Sequence, residues 1–298
     1  RLVAQELIAL VPELSDYVNA AGLKHEVREE NARLQNAVTG MSLVETDETI
    51  SISRADAPIV VYNKKSPAVP DGIDPVYHRS GFLHPVATPK GKIVTAAFPA
   101  DHPHQHGIFT AWVNTTWNDR KIDFWNLAGG TGRVLHQRVA STFSNDASTG
   151  FEVDLAHRAT ESPVVDVLRE RWKVSVYPTD SSYFCFDLET TQTAASTLPL
   201  TVNKYHYGGV ALRGPTSWVK TKDKDQAADD ATQVESSFFL NDKGSDRIQG
   251  NHEHARWVVL SGERDGKSVS IAVLSHSENF RTPQAARLHP TKPYFCFG

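Results

Sequence analysis

Little in this chain of 298 residues suits cross-linking, membranes or nucleic acid. Two cysteines and one methionine cannot make a disulfide-dense scaffold. No run approaches the roughly 20 apolar residues that a bilayer-spanning helix needs. The formal charge is −4, and no basic cluster interleaved with aromatics is there to neutralise a row of phosphates, so nucleic acid is not an expected partner. The chain lacks a Gly-rich phosphate loop, G-x-S-x-G, HExxH and CxxC. It also lacks an internal period of 20 to 50 residues, which disfavours propellers and solenoids. The cysteines sit in YFCFD (183–187) and YFCFG (294–298). Alternation sets each one opposite its flanking Phe residues, so two buried thiols are expected, with a disulfide as the alternative.

What is present changes character near residue 40. Leu7, Leu10, Val11, Leu14, Tyr17 and Val18 recur at helical spacing before Gly22, and Val27, Asn31, Leu34 and Val38 form a second stripe that ends at Thr39-Gly40. Residues 1–40 are therefore expected to form a helical arm, suited to oligomer assembly or to capping a sheet, or else a non-native extension. From Met41 onward the pattern is short β-rich runs: 49–53, 58–63, 92–98, 108–117, 151–157, 171–177, 183–193, 256–262 and 267–275. Turn-rich stretches separate them, including an Asp265-Gly266 hairpin signal. The expectation for 41–298 is one all-β domain of roughly 250 residues, a large antiparallel β-sandwich. The polar stretch 214–235 reads as a surface loop, with a lid as the alternative.

Thirteen histidines is a high count, and they gather in a few segments. The densest is FPADHPHQHGIF (98–109). If it is extended, His102, His104 and His106 point the same way, and Asp101 can orient one imidazole through its second nitrogen. Imidazole suits acid/base work near neutral pH. A divalent metal held by His102, His104 and His106 is the variant reading, and a solvated loop the bland one. KYHYGG (204–209) sets Lys204 and His206 on one face at a strand end, with a glycine pair that permits close approach. HSENFRTPQAARLHP (276–290) carries Asn279, Arg281, Gln284, Arg287 and His289, and Arg281 offers a planar fork for substrate oxygens. Asn251, His252 and Glu253 form a further polar group. Trp125, close to Asp123, suits stacking on a sugar ring, although large aromatics more often fill sandwich cores.

Five segments in order carry a resemblance: SGFLHPVATPKGKIVTAAFPADHPHQHGIFTAWVNTTW, DFWN, KYHYGG, GNHEHARWV and HSENFRTPQAARLHPTKPYFCF. Over roughly 42–298 the chain resembles a bacterial PmoA-like family of unknown function that carries the label methane oxygenase. The label does not describe the chemistry, because a particulate methane oxygenase subunit is built of membrane helices. The resemblance implies a sandwich similar to the supersandwich of aldose mutarotases, and a periplasmic or secreted location. Relatives continue past the position of Gly298, so missing last strands are an expectation. The family's recurrent polar positions fall on His84, Asp101, His102, His104, His106, Lys204, His206, Asn279, Arg281 and His289.

The combined expectation is a carbohydrate-active enzyme that epimerises, eliminates or hydrolyses a small or oligomeric sugar substrate. His102 or His104 would act as acid or base with His206 as partner, and Asp101 as orienter. His84, Lys204, Asn279, Arg281, His289 and Trp125 would contact substrate. No cofactor is required beyond the metal variant. The alternatives are a non-catalytic carbohydrate-binding or scaffold module and a His-bound metal oxygenase.

Overall fold

The computed structural model describes residues 40–55, 57–179, 182–219 and 237–298. The helical arm expected at 1–40 lies outside the described residues apart from Gly40, as does 220–236 of the expected loop. What is described is built of antiparallel strands and short 3-10 turns. No helix among the described residues is long and apolar enough to cross a membrane.

In the largest sheet the strands are β1 (Met41–Glu45), β2 (Thr49–Arg54), β3 (Ala57–Asn63), β4 (Phe82–Val86) and β5 (Ile108–Ala111), followed in space by β13 (Gly209–Arg213), β18 (Tyr294–Phe297) and β17 (Ala286–Leu288). A second sheet has the order β11 (Cys185–Ala194), β10 (Val165–Tyr177), β9 (Thr149–Ala159) and β8 (Gly132–Ser144). Two smaller sheets hold β6 (Thr115–Trp117), β7 (Arg120–Ile122) and β12 (Thr201–Val202), and β14 (Ser237–Asn241), β15 (Trp257–Arg264) and β16 (Lys267–Leu274). The β15–β16 turn takes positive φ at both Asp265 and Gly266, as a primed two-residue hairpin requires.

Register assigns the two faces of the eight-stranded sheet. Ile108, Leu212 and Phe295 are mutual partners and share one face, and Thr110 lies two residues along from Ile108. That face meets the four-stranded sheet: the Tyr62 ring lies 5.3 Å from Phe151 and 6.0 Å from Trp172, and Thr110 bonds Glu170 at 2.8 Å. Phe239 of β14 packs 6.0 Å from Phe295, so the β14–β16 sheet covers the same side. The result is a sandwich whose aromatic and branched side chains are fully buried between layers. Phe109, Ala211, Arg213, Tyr294, Cys296 and Arg287 share the opposite face.

Four local expectations change. Residues 92–98 do not form a strand and make isolated bridges, Ala87 with Ile93 and Ala97 with His106, because their backbone bonds are divided among separate partners: Val94 N–H to the Val86 carbonyl, Ala96 N–H to Arg213 and Phe98 N–H to Gln105. The run 108–117 breaks into β5 and β6. Trp218, placed in a surface loop by its polar neighbours, is buried and donates its indole N–H to the Glu263 carbonyl at 2.8 Å. Cys296 is buried as expected, whereas Cys185 at the start of β11 is only half-buried.

Candidate functional site

The histidine loop is folded by turns. Backbone bonds run from His102 to the Pro99 carbonyl and from Gln105 to the His102 carbonyl, both 2.9 Å. A turn cancels the two-residue alternation of an extended segment, so the three imidazoles do not face the same way. His102 and His104 stay together at the surface, with ring centroids 5.6 Å apart. His106 turns inward, is fully buried, and packs against Phe98 and Phe82 at 4.5 and 5.2 Å. Its Nδ1 donates to the His104 carbonyl at 3.0 Å. Burial lowers its pKa well below 6.5, with the Arg79 charge acting in the same direction. The expected metal set of His102, His104 and His106 is thereby corrected. Among the described residues no three His, Cys, Asp or Glu side chains gather in a metal-holding arrangement. The turn needs Gly107, whose φ is +56° and where a Cβ would strike the Leu83 carbonyl.

Asp101 ties this loop to the sheet. Its carboxylate accepts from both terminal nitrogens of Arg213, at 2.8 and 3.1 Å, and from His102 Nδ1 at 3.1 Å. Lys292 Nζ lies 3.5 Å away. Arg213 is fully buried at the end of β13 and also donates to Gln105 Oε1 at 2.8 Å. Burial opposes ionisation of Asp101, but the hydrogen bonds from His102 and Arg213 and the nearby positive charges outweigh it. They hold the carboxyl below its ordinary range.

The loop that precedes β18 brings His289 to the same place. Its ring lies 5.5 Å from that of His102 and 6.0 Å from that of Tyr294. Two backbone N–H groups, of Thr291 and Lys292, donate to His289 Nδ1 at 3.2 and 3.1 Å. Because those groups can only donate, the His289 proton sits on Nε2. His102 is the converse case: its Nδ1 faces the Asp101 carboxylate and donates to it, so in the neutral ring the lone pair is on Nε2. Burial is the main cause that lowers the pKa of His104 and of His289 to about 4, and neighbouring positive charge adds to it. Both rings are therefore neutral near pH 7.

A second group adjoins this one. In KYHYGG the rings of Tyr205, His206 and Tyr207 crowd together, 4.4 to 4.9 Å apart, so the expected strand-like alternation of Lys204 and His206 against the tyrosines does not occur. The glycine pair admits main chain, since a Cβ at Gly209 would collide with the Phe297 carbonyl. Arg287 on β17 connects the groups electrostatically. Burial and the Arg287 charge together lower the pKa of His206, His252 and His289.

The remaining expected residues lie elsewhere. Trp125 is fully buried against Phe109, Tyr207 and Tyr294, so it cannot stack on a ligand. Asp123 is occupied in a turn, accepting from the Trp125 and Asn126 backbones at 2.8 and 3.0 Å. His84 is held by Thr95 Oγ1 at 2.8 Å. Asn279 bonds within its own turn, to Ser275 and the His276 carbonyl; Arg281 and Lys204 are exposed. None of these three has a contact, among the described residues, that joins it to the histidines. Arg213, Lys292 and Tyr294 were not anticipated as site residues. The one available signal was Arg213 itself, an arginine in the inward-alternating run VALR.

A cavity of about 580 Å³ lies apart from this cluster, on the outer face of the four-stranded sheet, lined by Arg138, Asp154, Asp166, Arg169, Arg171 and Thr193 among others. Arg138 and Arg171 are both paired with Asp154 at 2.6 and 2.8 Å, and no imidazole lines it. The chemistry favours the cluster, where neutral imidazoles with defined protons face one another.

Fold and site together define an all-β protein of antiparallel sheets with a histidine-lined polar patch on the second face of its largest sheet. The chain belongs to the Family of unknown function (DUF6807), whose model matches residues 49–296. That match carries no link to methane oxygenases or to mutarotases, and no curated protein and no solved structure matches.

Proposed function

We propose that the protein is a carbohydrate-active enzyme that works by acid/base chemistry at His102 and His289, with His104 beside them. The carrying observation is the pair of complementary protonation states 5.5 Å apart: an open Nε2 lone pair on His102, set by Asp101, and an Nε2–H on His289, set by two backbone donors. With His102 in its neutral form, one ring can take a proton and the other can give one. His206 keeps a place at the margin of the site as a substrate contact and is no longer the acid/base partner.

The carboxylate complement favours proton abstraction, as in epimerisation or elimination, over hydrolysis. A glycosidase commonly works with two carboxylates flanking the bond. Here Asp101 is the one carboxylate bonded to the histidines, and it is engaged by Arg213. The second reading, a non-catalytic carbohydrate-binding module, draws on Tyr205, which is 47% exposed and offers a ring face to a sugar.

The test is a turnover screen on neutral and acidic mono- and oligosaccharides, followed by chromatography, comparing the wild type with His102→Ala and His289→Ala. At least one substrate should be converted, and each variant should lose about 10²–10⁴-fold in rate while keeping its fold. Conversion at the wild-type rate by both variants rejects the acid/base reading. Binding without conversion supports the module.

A further inference from the structure

Charge at the site is one-sided. Arg213, Lys292 and Arg287 bring positive charge, and Asp101, the one carboxylate bonded there, already serves Arg213, His102 and Lys292. Glu253, near in sequence to His252, is turned away and accepts from Asn241 Nδ2 at 2.7 Å. Asp123 is consumed by its own turn.

Arg287 is the cation with capacity to spare. It sits half-buried on β17, on the sheet face that carries Arg213, Tyr294 and Cys296. Its Nη1 is fixed by Asn251 Oδ1 at 2.7 Å and by the Leu288 carbonyl at 3.2 Å. Its Nε is sealed from solvent with no partner among the described residues. Nη2 donates to nothing among the described residues and is not sealed, so a guanidinium anchored through Nη1 presents it to a carboxylate oxygen. The lowered pKa of the three surrounding histidines, to which its charge contributes, marks a location short of negative charge.

We infer that the ligand of this site bears a carboxylate, as a uronic acid does, and that Arg287 is the residue that receives it. The inference rests on the proposed site and narrows its substrate from sugars in general to acidic sugars. The carboxylate would supply the missing negative charge and the acceptor that Arg287 lacks, while the rest of the ring reaches His289 and His102.

Isothermal titration of the purified chain tests this with glucuronate and galacturonate, their neutral parents glucose and galactose, and sodium sulfate. At least one uronate should bind 10-fold or more tighter than its neutral parent, and weaken as salt is raised. Arg287→Gln should weaken uronate binding about 10- to 100-fold and leave the neutral sugars unchanged. Arg287→Lys keeps the charge without the planar fork and should fall between the two, which guards against a folding defect in the glutamine variant; melting curves of both accompany the titrations. Neutral parents binding as well as uronates, no uronate binding at all, uronate affinity unmoved by Arg287→Gln, or sulfate competing as effectively as uronate each overturn the inference. His102→Ala should keep the preference for uronate over its neutral parent, because that preference is set at Arg287, whatever the substitution does to turnover. Uronate binding through Arg287 with no His102-dependent turnover would therefore sink the acid/base reading and leave this inference standing.

Discussion

Two acid–imidazole pairs of similar composition sit on opposite faces of the eight-stranded sheet. Glu170 and His157 lie between the layers, 2.7 Å apart with both side chains 0% exposed. Asp101 and His102 lie on the other face, 3.1 Å apart and 20% and 28% exposed. Glu170 further accepts from Thr110, Thr190 at 2.5 Å and Gln192 at 3.1 Å, and its negative charge offsets that of buried Arg79. Every acceptor site of that carboxylate is engaged and no ligand can reach it, so its chemistry is spent on joining two sheets. Asp101 is engaged as well, but its imidazole partner keeps a second nitrogen open. In the proposed acid/base reading it is that open nitrogen, more than the presence of an acid beside a histidine, that sets the two pairs apart.

Experiments that break this contrast should differ first in stability. Glu170→Ala removes the acceptor for two hydroxyls, an amide and an imidazole in the dry interior, and should cost about 3–5 kcal/mol in denaturant unfolding. A cost below about 1 kcal/mol would mean that the inter-sheet network is not structural. His102→Ala should do the reverse, removing turnover while shifting stability by about 0.5 kcal/mol or less.

Acid should affect the regions in succession. His104 and His289 titrate near 4 in the folded protein against an ordinary 6.5. The unfolded chain therefore binds their protons first, and stability falls as pH drops from 6.5 toward 4. Burial opposes ionisation of Glu170, yet hydrogen bonds, led by that of His157, hold its pKa to about 2 against an ordinary 4.5. Its contribution is complete above 4.5 and is lost as pH falls through 2. Unfolding midpoints measured across both intervals should fall in each. Replacing His104 and His289 together should lessen the fall in the upper interval only, where His84, His106 and His136, also lowered by burial, still contribute. The smallest effects belong to Arg281→Ala and Lys204→Ala, which should change stability and sugar turnover within measurement error, since both side chains are exposed and remote from the imidazoles.

The contrast also explains what sequence could reveal. Alternation read the strands well where one face is buried, as in β2, β3, β9 and β10, because a period of two is a local property. It misled at 102–106, where Pro103, with Pro99 before the stretch and Gly107 after it, folds the chain into turns that send His106 inward. The Asp101 loop was legible from its density of imidazoles. Its partners were not, because Arg213 is 112 residues away and nothing local marks such a pairing. Glu170 left a trace that could have been followed: in LRERWKV (168–174) it occupies the inward position between Leu168 and Trp172, where an unpaired carboxylate would be untenable. Trp125 was misjudged because a carboxylate beside an indole looks the same in sequence whether the ring is exposed or interred.

One carboxylate, that of Asp101, grips an arginine from β13 with one side and steers an imidazole with the other. Anchoring and aim are thereby welded together: a loop shaken loose would also point its base the wrong way. A change at the rim of this patch leaves that hinge-pin in place, whereas the loss of Asp101 undoes both jobs at once.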